Sequence, residues 1–104
     1  MTPLQLSQVY LSAALQCLQD CERCLETCDD PSKYAECLKI CRECADICQL
    51  FVYLLLQKVP LANKAWRILA ETCRNCMLLC SQYADDVFQH CAQSSQLCVE
   101  LLAA

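Results

Sequence analysis

The sequence predicts an all-α protein, an antiparallel up-down four-helix bundle with a cysteine-lined lumen, in one domain spanning 1–104. Three observations lead there: the 104 residues include no glycine, thirteen are cysteine, and the cysteines recur in steps of four, three and four. Glycine supplies the positive φ that tight hairpins and bulges need, so its absence speaks against a strand-rich scaffold and for long helices. One domain follows from the length, which supports a single modest core.

The elements can be placed from their start and stop signals. Thr2 is a cap with Pro3 at the first helical position, and the first helix runs to about residue 28, where Asp29, Asp30 and Pro31 stop it. Asp30 or Ser32 restarts a second helix, which continues to about Lys58 before Val59 and Pro60 break it. Pro60 opens the third helix. Ser81 and the pair Asp85 and Asp86 place the next boundary near Ala84, and the fourth helix runs to Leu101 or Leu102. Short connections then make sequential helices antiparallel neighbours.

The first helix carries Cys17, Cys21, Cys24 and Cys28, and the second Cys37, Cys41, Cys44 and Cys48. At about 100° per residue, these steps confine each set to a stripe about 60° wide that rises roughly 16 Å along the axis. The same template reads Leu69, Cys73, Cys76 and Cys80 in the third helix, and Val87, Cys91, Ser94 and Cys98 in the fourth. Antiparallel packing aligns the stripes in four layers. From the end that holds the first and third connections they are Cys28, Cys37, Cys80 and Val87; Cys24, Cys41, Cys76 and Cys91; Cys21, Cys44, Cys73 and Ser94; Cys17, Cys48, Leu69 and Cys98. Past the last layer the inward faces turn apolar, with Tyr10, Ala14, Phe51, Val52, Leu55, Ala62, Trp66 and Leu101.

A free cysteine also serves as a small core hydrophobe. Thirteen on one continuous surface would underfill a space that Leu or Ile packs better, at the risk of oxidation. Ligation of a soft metal explains them better. Cu(I), Zn(II) and iron–sulfur clusters all take thiolate. Zinc uses about four ligands per closed site and leaves net negative charge inside the bundle. Iron–sulfur cysteines have other spacings. A monovalent copper held by two bridging thiolates gives about one ion per cysteine and near neutrality in a low-dielectric lumen.

The segments C-L-Q-D-C-E-R-C-L-E-T-C, C-L-K-I-C-R-E-C-A-D-I-C and C-R-N-C-M-L-L-C, with the sparser C-A-Q-S-S-Q-L-C, resemble the bacterial cysteine-rich four-helix-bundle copper storage proteins over most of the chain, Cys17 to Cys98. The resemblance implies inward thiolates loaded with multiple Cu(I) ions, His and Met near an open end that passes metal in, and often a homotetramer. The metal ligands expected here are Cys17, Cys21, Cys24, Cys28, Cys37, Cys41, Cys44, Cys48, Cys73, Cys76, Cys80, Cys91 and Cys98, with His90 and Met77 as further candidates beside the stripes. Leu69, Val87 and Ser94 depart from a full cysteine lining and lower the expected capacity. Both His90 and Met77 have plainer readings, as a surface histidine near a helix start and a core filler. The acidic group Asp29, Asp30, Asp85 and Asp86 reads first as helix caps.

Other functions fit less well. A formal charge of -4 leaves no basic patch for nucleic acid. The apolar run Leu50 to Leu56 is far shorter than the roughly 20 residues of a bilayer crossing, and the first residues lack the basic and apolar regions of a secretory signal, so a cytoplasmic location is expected. There, structural disulfides are rare, and an odd cysteine count leaves at least one thiol unpaired. Thiol oxidoreductase chemistry needs a nucleophile with a depressed pKa at a helix N-terminus or beside a cation, and these cysteines lie mid-helix, so no enzyme is expected. The remaining alternatives are a zinc or other soft-metal thiolate protein, and a helical oligomerisation module in which Leu54 and Leu56 form an outer patch that pairs subunits.

Overall fold

A computed structural model describes residues 2–103, with the side chains of 102 and 103 excepted. Four helices follow in order: α1, Pro3–Thr27; α2, Ala35–Leu56; α3, Leu61–Cys80; and α4, Asp86–Ala103. Each packs against its sequence neighbours, and α1 closes the ring on α4, as the up-down bundle requires.

The start of α1 is a capping box. The Thr2 hydroxyl accepts from the Gln5 amide at 3.2 Å, and the Gln5 side chain accepts from the Thr2 amide at 2.8 Å. Asp30 does nucleate the chain toward α2, since its carboxylate and carbonyl accept from the Lys33 amide. The turn it starts does not run straight into the helix. Tyr34, at φ -108° and ψ 21°, departs from α geometry, so α2 begins only at Ala35. Pro60 opens α3 as expected. The α3–α4 connection, 81–85, brackets the expected boundary at Ala84.

The end of α2 shows how a chain without glycine manages a helix stop. Lys58 adopts φ 58°, the only positive φ among the described residues. Its amide donates to the Leu55 carbonyl at 3.1 Å and the Val59 amide to that of Leu54 at 3.4 Å, a Schellman pair that normally places glycine where Lys58 stands. Leu54, three residues after the buried Phe51 on the same helix, is buried, so the expected outer patch of Leu54 and Leu56 is corrected: Leu50, Tyr53 and Leu56 are exposed there.

Along its axis the core has two halves. At the end joined by the α2–α3 connection, Phe51 and Trp66 are buried, with Tyr10 edge-on to the indole at a centroid distance of 4.6 Å. The buried Trp66 Nε1 meets no oxygen or nitrogen acceptor among the described residues. Ala14 and Leu69, both wholly buried, form the next layer inward. The other half is sulfur.

Two stability measurements test this division. Lys58→Gly should raise the unfolding free energy by about 1 kcal/mol by relieving the left-handed side chain. Trp66→Ala should lower it by about 3–5 kcal/mol. Denaturant unfolding of the metal-free protein checks both, and the starting state should be fully helical by circular dichroism.

Candidate metal centre

The cysteine stripes all face inward. Every cysteine except Cys28 is completely buried, and all thirteen are free thiols. The cause is local: steps of four and three keep each set on one helix face, and that face is the one each helix turns to the other three.

Ten of these sulfurs form four overlapping groups, in each of which the atoms lie within 4.8 Å of one another. The largest contains Cys21, Cys41, Cys76 and Cys91. Cys37, Cys41 and Cys80 lie on its loop side, while Cys17, Cys21 and Cys44, then Cys17, Cys73 and Cys98, lie deeper. Adjacent groups share members: Cys41 belongs to two, Cys21 to two, and Cys17 to two. Individual separations include 3.1 Å for Cys37 and Cys80, 3.6 Å for Cys21 and Cys91, 3.6 Å for Cys17 and Cys44, and 3.7 Å for Cys76 and Cys91.

Three expected ligands stand outside these groups. Cys24 donates to the Val87 carbonyl at 3.5 Å, Cys48 is buried toward the apolar half, and Cys28 is half-buried at the C-cap of α1 in extended geometry. His90 is exposed and lines an outer groove with Gln16, Asp20 and Arg23. Met77 is half-buried on α3.

The layering differs from the expectation in one respect. Cys21, not Cys24, joins Cys41, Cys76 and Cys91, and Cys17 joins Cys44 and Cys73 while Cys21 also stays within reach of Cys44. Helix α1 is staggered toward the loop end, so that Cys21 and Cys17 each reach members of two of the expected layers. The count assumed a short connection after Cys28, whereas α1 ends at Thr27 and the chain uses residues 28–34 to reach α2. On α4 the lumen residue is Ser95, not Ser94. Ser95 is wholly buried with its hydroxyl 3.6 Å from Cys17 Sγ, while the Ser94 hydroxyl donates to the Cys91 carbonyl of its own helix at 3.2 Å. The signal for Ser95 was present, since it lies four residues after Cys91 and three before Cys98.

Proton sharing follows from the packing. A thiolate is favoured where neighbouring S–H groups donate to it, and those neighbours are held protonated in turn. Donation by Cys21 lowers the pKa of Cys17, and donation by Cys21 likewise lowers Cys76 and Cys91. Cys41 and Cys80 lower Cys37. Their partners are pushed up: Cys21 and Cys73 chiefly by Cys17, Cys41 chiefly by Cys21, and Cys80 chiefly by Cys37. Each sulfur group therefore holds at least one thiol poised to ionise among others that keep their protons.

A buried lumen lined chiefly by sulfur, with shared ligands, defines a class, the multinuclear soft-metal thiolate proteins built on a helix bundle. The comparisons give the family. Residues 4–103 match the family model described as copper storage protein, and the chain belongs to that family. A Cu(I)-bound copper storage protein, BsCsp3, superposes with a TM-score of 0.89 at 27% identity, covering 94% of this chain and 95% of that one. The metal-free copper storage protein 3 from Bacillus subtilis superposes with a TM-score of 0.85 at 28% identity over 91% and 93% of the two chains. An uncharacterised cysteine-rich protein of Bacillus subtilis strain 168, YhjQ, is 29% identical over 99 residues, 92% of each chain.

The corrected face of α4 has a direct check. Ser95→Cys should add one ligand and raise the Cu(I) endpoint by about one ion, whereas Ser94→Cys should leave it unchanged. Anaerobic titration of the two variants beside the parent protein distinguishes them.

Proposed function

We propose that this protein is a store, not a catalyst, that holds many Cu(I) ions along its lumen. The observation that carries this is the sharing of sulfurs between adjacent groups. A shared thiolate bridges two ions, and bridging lets monovalent ions approach the number of ligands while cancelling their charge. The ligand set is the thirteen cysteines, with Cys28 at the mouth and Cys24 and Cys48 completing the two ends. His90 and Met77 serve as outer contacts that handle ions outside the lumen.

The group Cys21, Cys41, Cys76 and Cys91 supports a second reading, because four buried sulfurs are also a tetrahedral zinc set. Zinc there would leave the other three groups unexplained. Copper storage uses them all.

The thirteen free thiols support a reducing, cytoplasmic location. No helix among the described residues is long and apolar enough to cross a membrane. The exposed Leu50, Tyr53 and Leu56 on α2, with Leu61 and Ile68 on α3, support self-association as a homo-oligomer.

Capacity is the test. Anaerobic Cu(I) titration should continue to roughly one ion per cysteine, and an endpoint of one to three ions would exclude storage. Replacing His90 and Met77 by alanine should slow loading without altering that endpoint. Because most lumen thiols keep their protons until metal displaces them, uptake should release acid. The per-ion affinity should then fall about tenfold for each unit fall in pH if one proton leaves per ion, as competition titrations at several pH values would show.

A further inference from the structure

We propose that Tyr34 is the door to the lumen, held shut by Asp85, and that Cys37, Cys41 and Cys80 form the receiving site directly behind it. This rests on the storage reading above.

The ions must pass somewhere, and the two ends of the bundle differ. At the apolar end two layers of side chains, Trp66 with Phe51 and then Leu69 with Ala14, separate solvent from the deepest sulfurs. At the loop end a single aromatic layer does so. Tyr34, Tyr83 and Phe88 pack ring on ring, with centroids 4.8 Å apart for Tyr34 and Phe88, 4.9 Å for Tyr34 and Tyr83, and 5.5 Å for Tyr83 and Phe88. Tyr34 precedes Cys37 by three residues and Tyr83 follows Cys80 by three, so the rings sit one turn outside the closest pair of sulfurs, 3.1 Å apart. Cys37 and Cys80 are nonetheless wholly buried, as is Cys41, which joins them to the central group.

The three rings are not equally fixed. Phe88 belongs to α4, and the Tyr83 carbonyl is tied by the Gln89 side chain. Tyr34 lies in the connection before α2, off α geometry and without a side-chain cap. Its backbone is anchored, the amide donating to the Asp30 carbonyl at 3.4 Å and the carbonyl accepting from the Leu38 amide at 2.9 Å, and its ring is fastened by its hydroxyl, which donates to the Asp85 carboxylate at 3.2 and 3.3 Å. Asp85 stands where α4 begins, with its carbonyl accepting from the Phe88 and Gln89 amides, yet its carboxylate engages Tyr34. This corrects its reading as a simple cap. A carboxylate taken from a helix start to fasten a tyrosine across the bundle mouth is a latch between the two connections. Its release lets the Tyr34 ring turn outward about its own side-chain bonds and exposes Cys37 and Cys80 while the backbone and the helices stay packed.

The experiment measures access in two ways on Tyr34→Phe, Asp85→Ala, the double variant, and Phe51→Leu as a control at the opposite end. One arm follows Cu(I) transfer from a bidentate Cu(I) chelator. The other follows modification of the metal-free protein by an aromatic disulfide reagent, where half-buried Cys28 reacts first and the lumen thiols follow slowly. Losing a hydrogen bond to a charged group should speed the slow phase and copper loading by about tenfold in either latch variant, with the copper endpoint unchanged. The double variant should be no faster than the singles, because both remove one bond. Unchanged rates in both latch variants, or equal acceleration by Phe51→Leu, would overturn the door. Failure of the parent protein to take up copper would instead remove the storage reading, and the thiol-reagent arm would still decide whether Tyr34 controls access.

Discussion

Sulfur atoms packed at 3.1 to 4.0 Å and wholly buried from solvent cannot all carry charge. Desolvation and mutual repulsion keep most of them neutral thiols, and only a few gain enough donated S–H bonds to ionise. The lining of the lumen follows from that constraint. As thiols, the cysteines are small apolar side chains that a bundle can bury. As thiolates, they need a cation for nearly every sulfur. A monovalent soft ion meets that need one for one, and a divalent ion in closed four-sulfur sites does not.

The constraint also explains why the core is divided. Cysteine contributes less apolar area than leucine, so the thiol half stabilises the fold weakly. Trp66, Phe51, Leu69 and the rings around Tyr10 concentrate the hydrocarbon at one end. That end holds four helices in register before any metal arrives, and a prearranged ligand set binds metal more tightly than an unfolded chain would. The aromatic cap at the other end is thin by comparison, as a route for ions has to be.

Much of this was legible in the residues alone. Helix count, the thiol faces and the apolar end followed from periodicity and from Pro and Asp signals, because a narrow stripe on a helix has only one place to go. The register of α1 did not, since it depends on how many residues the first connection spends, and nothing in Asp29 to Ser32 announces that Tyr34 delays α2. Ser94 was read in the place of Ser95 because positions three and four after Cys91 fit the stripe equally, and only packing against Cys17 separates them. Leu54 and Asp85 were misread for a similar reason. Leu54 and Leu55 follow the buried Phe51 by three and four residues and fit the inward face equally, and the tyrosine that engages Asp85 comes from another connection, 51 residues away.

The most direct test of a continuous thiolate store is anomalous scattering at the copper absorption edge from crystals loaded with Cu(I). A file of copper peaks should run down the bundle axis from Cys37 and Cys80, through the Cys21, Cys41, Cys76 and Cys91 group, to Cys17 and Cys98. One isolated peak in the four-sulfur group, or peaks confined to the outer surface, would contradict it.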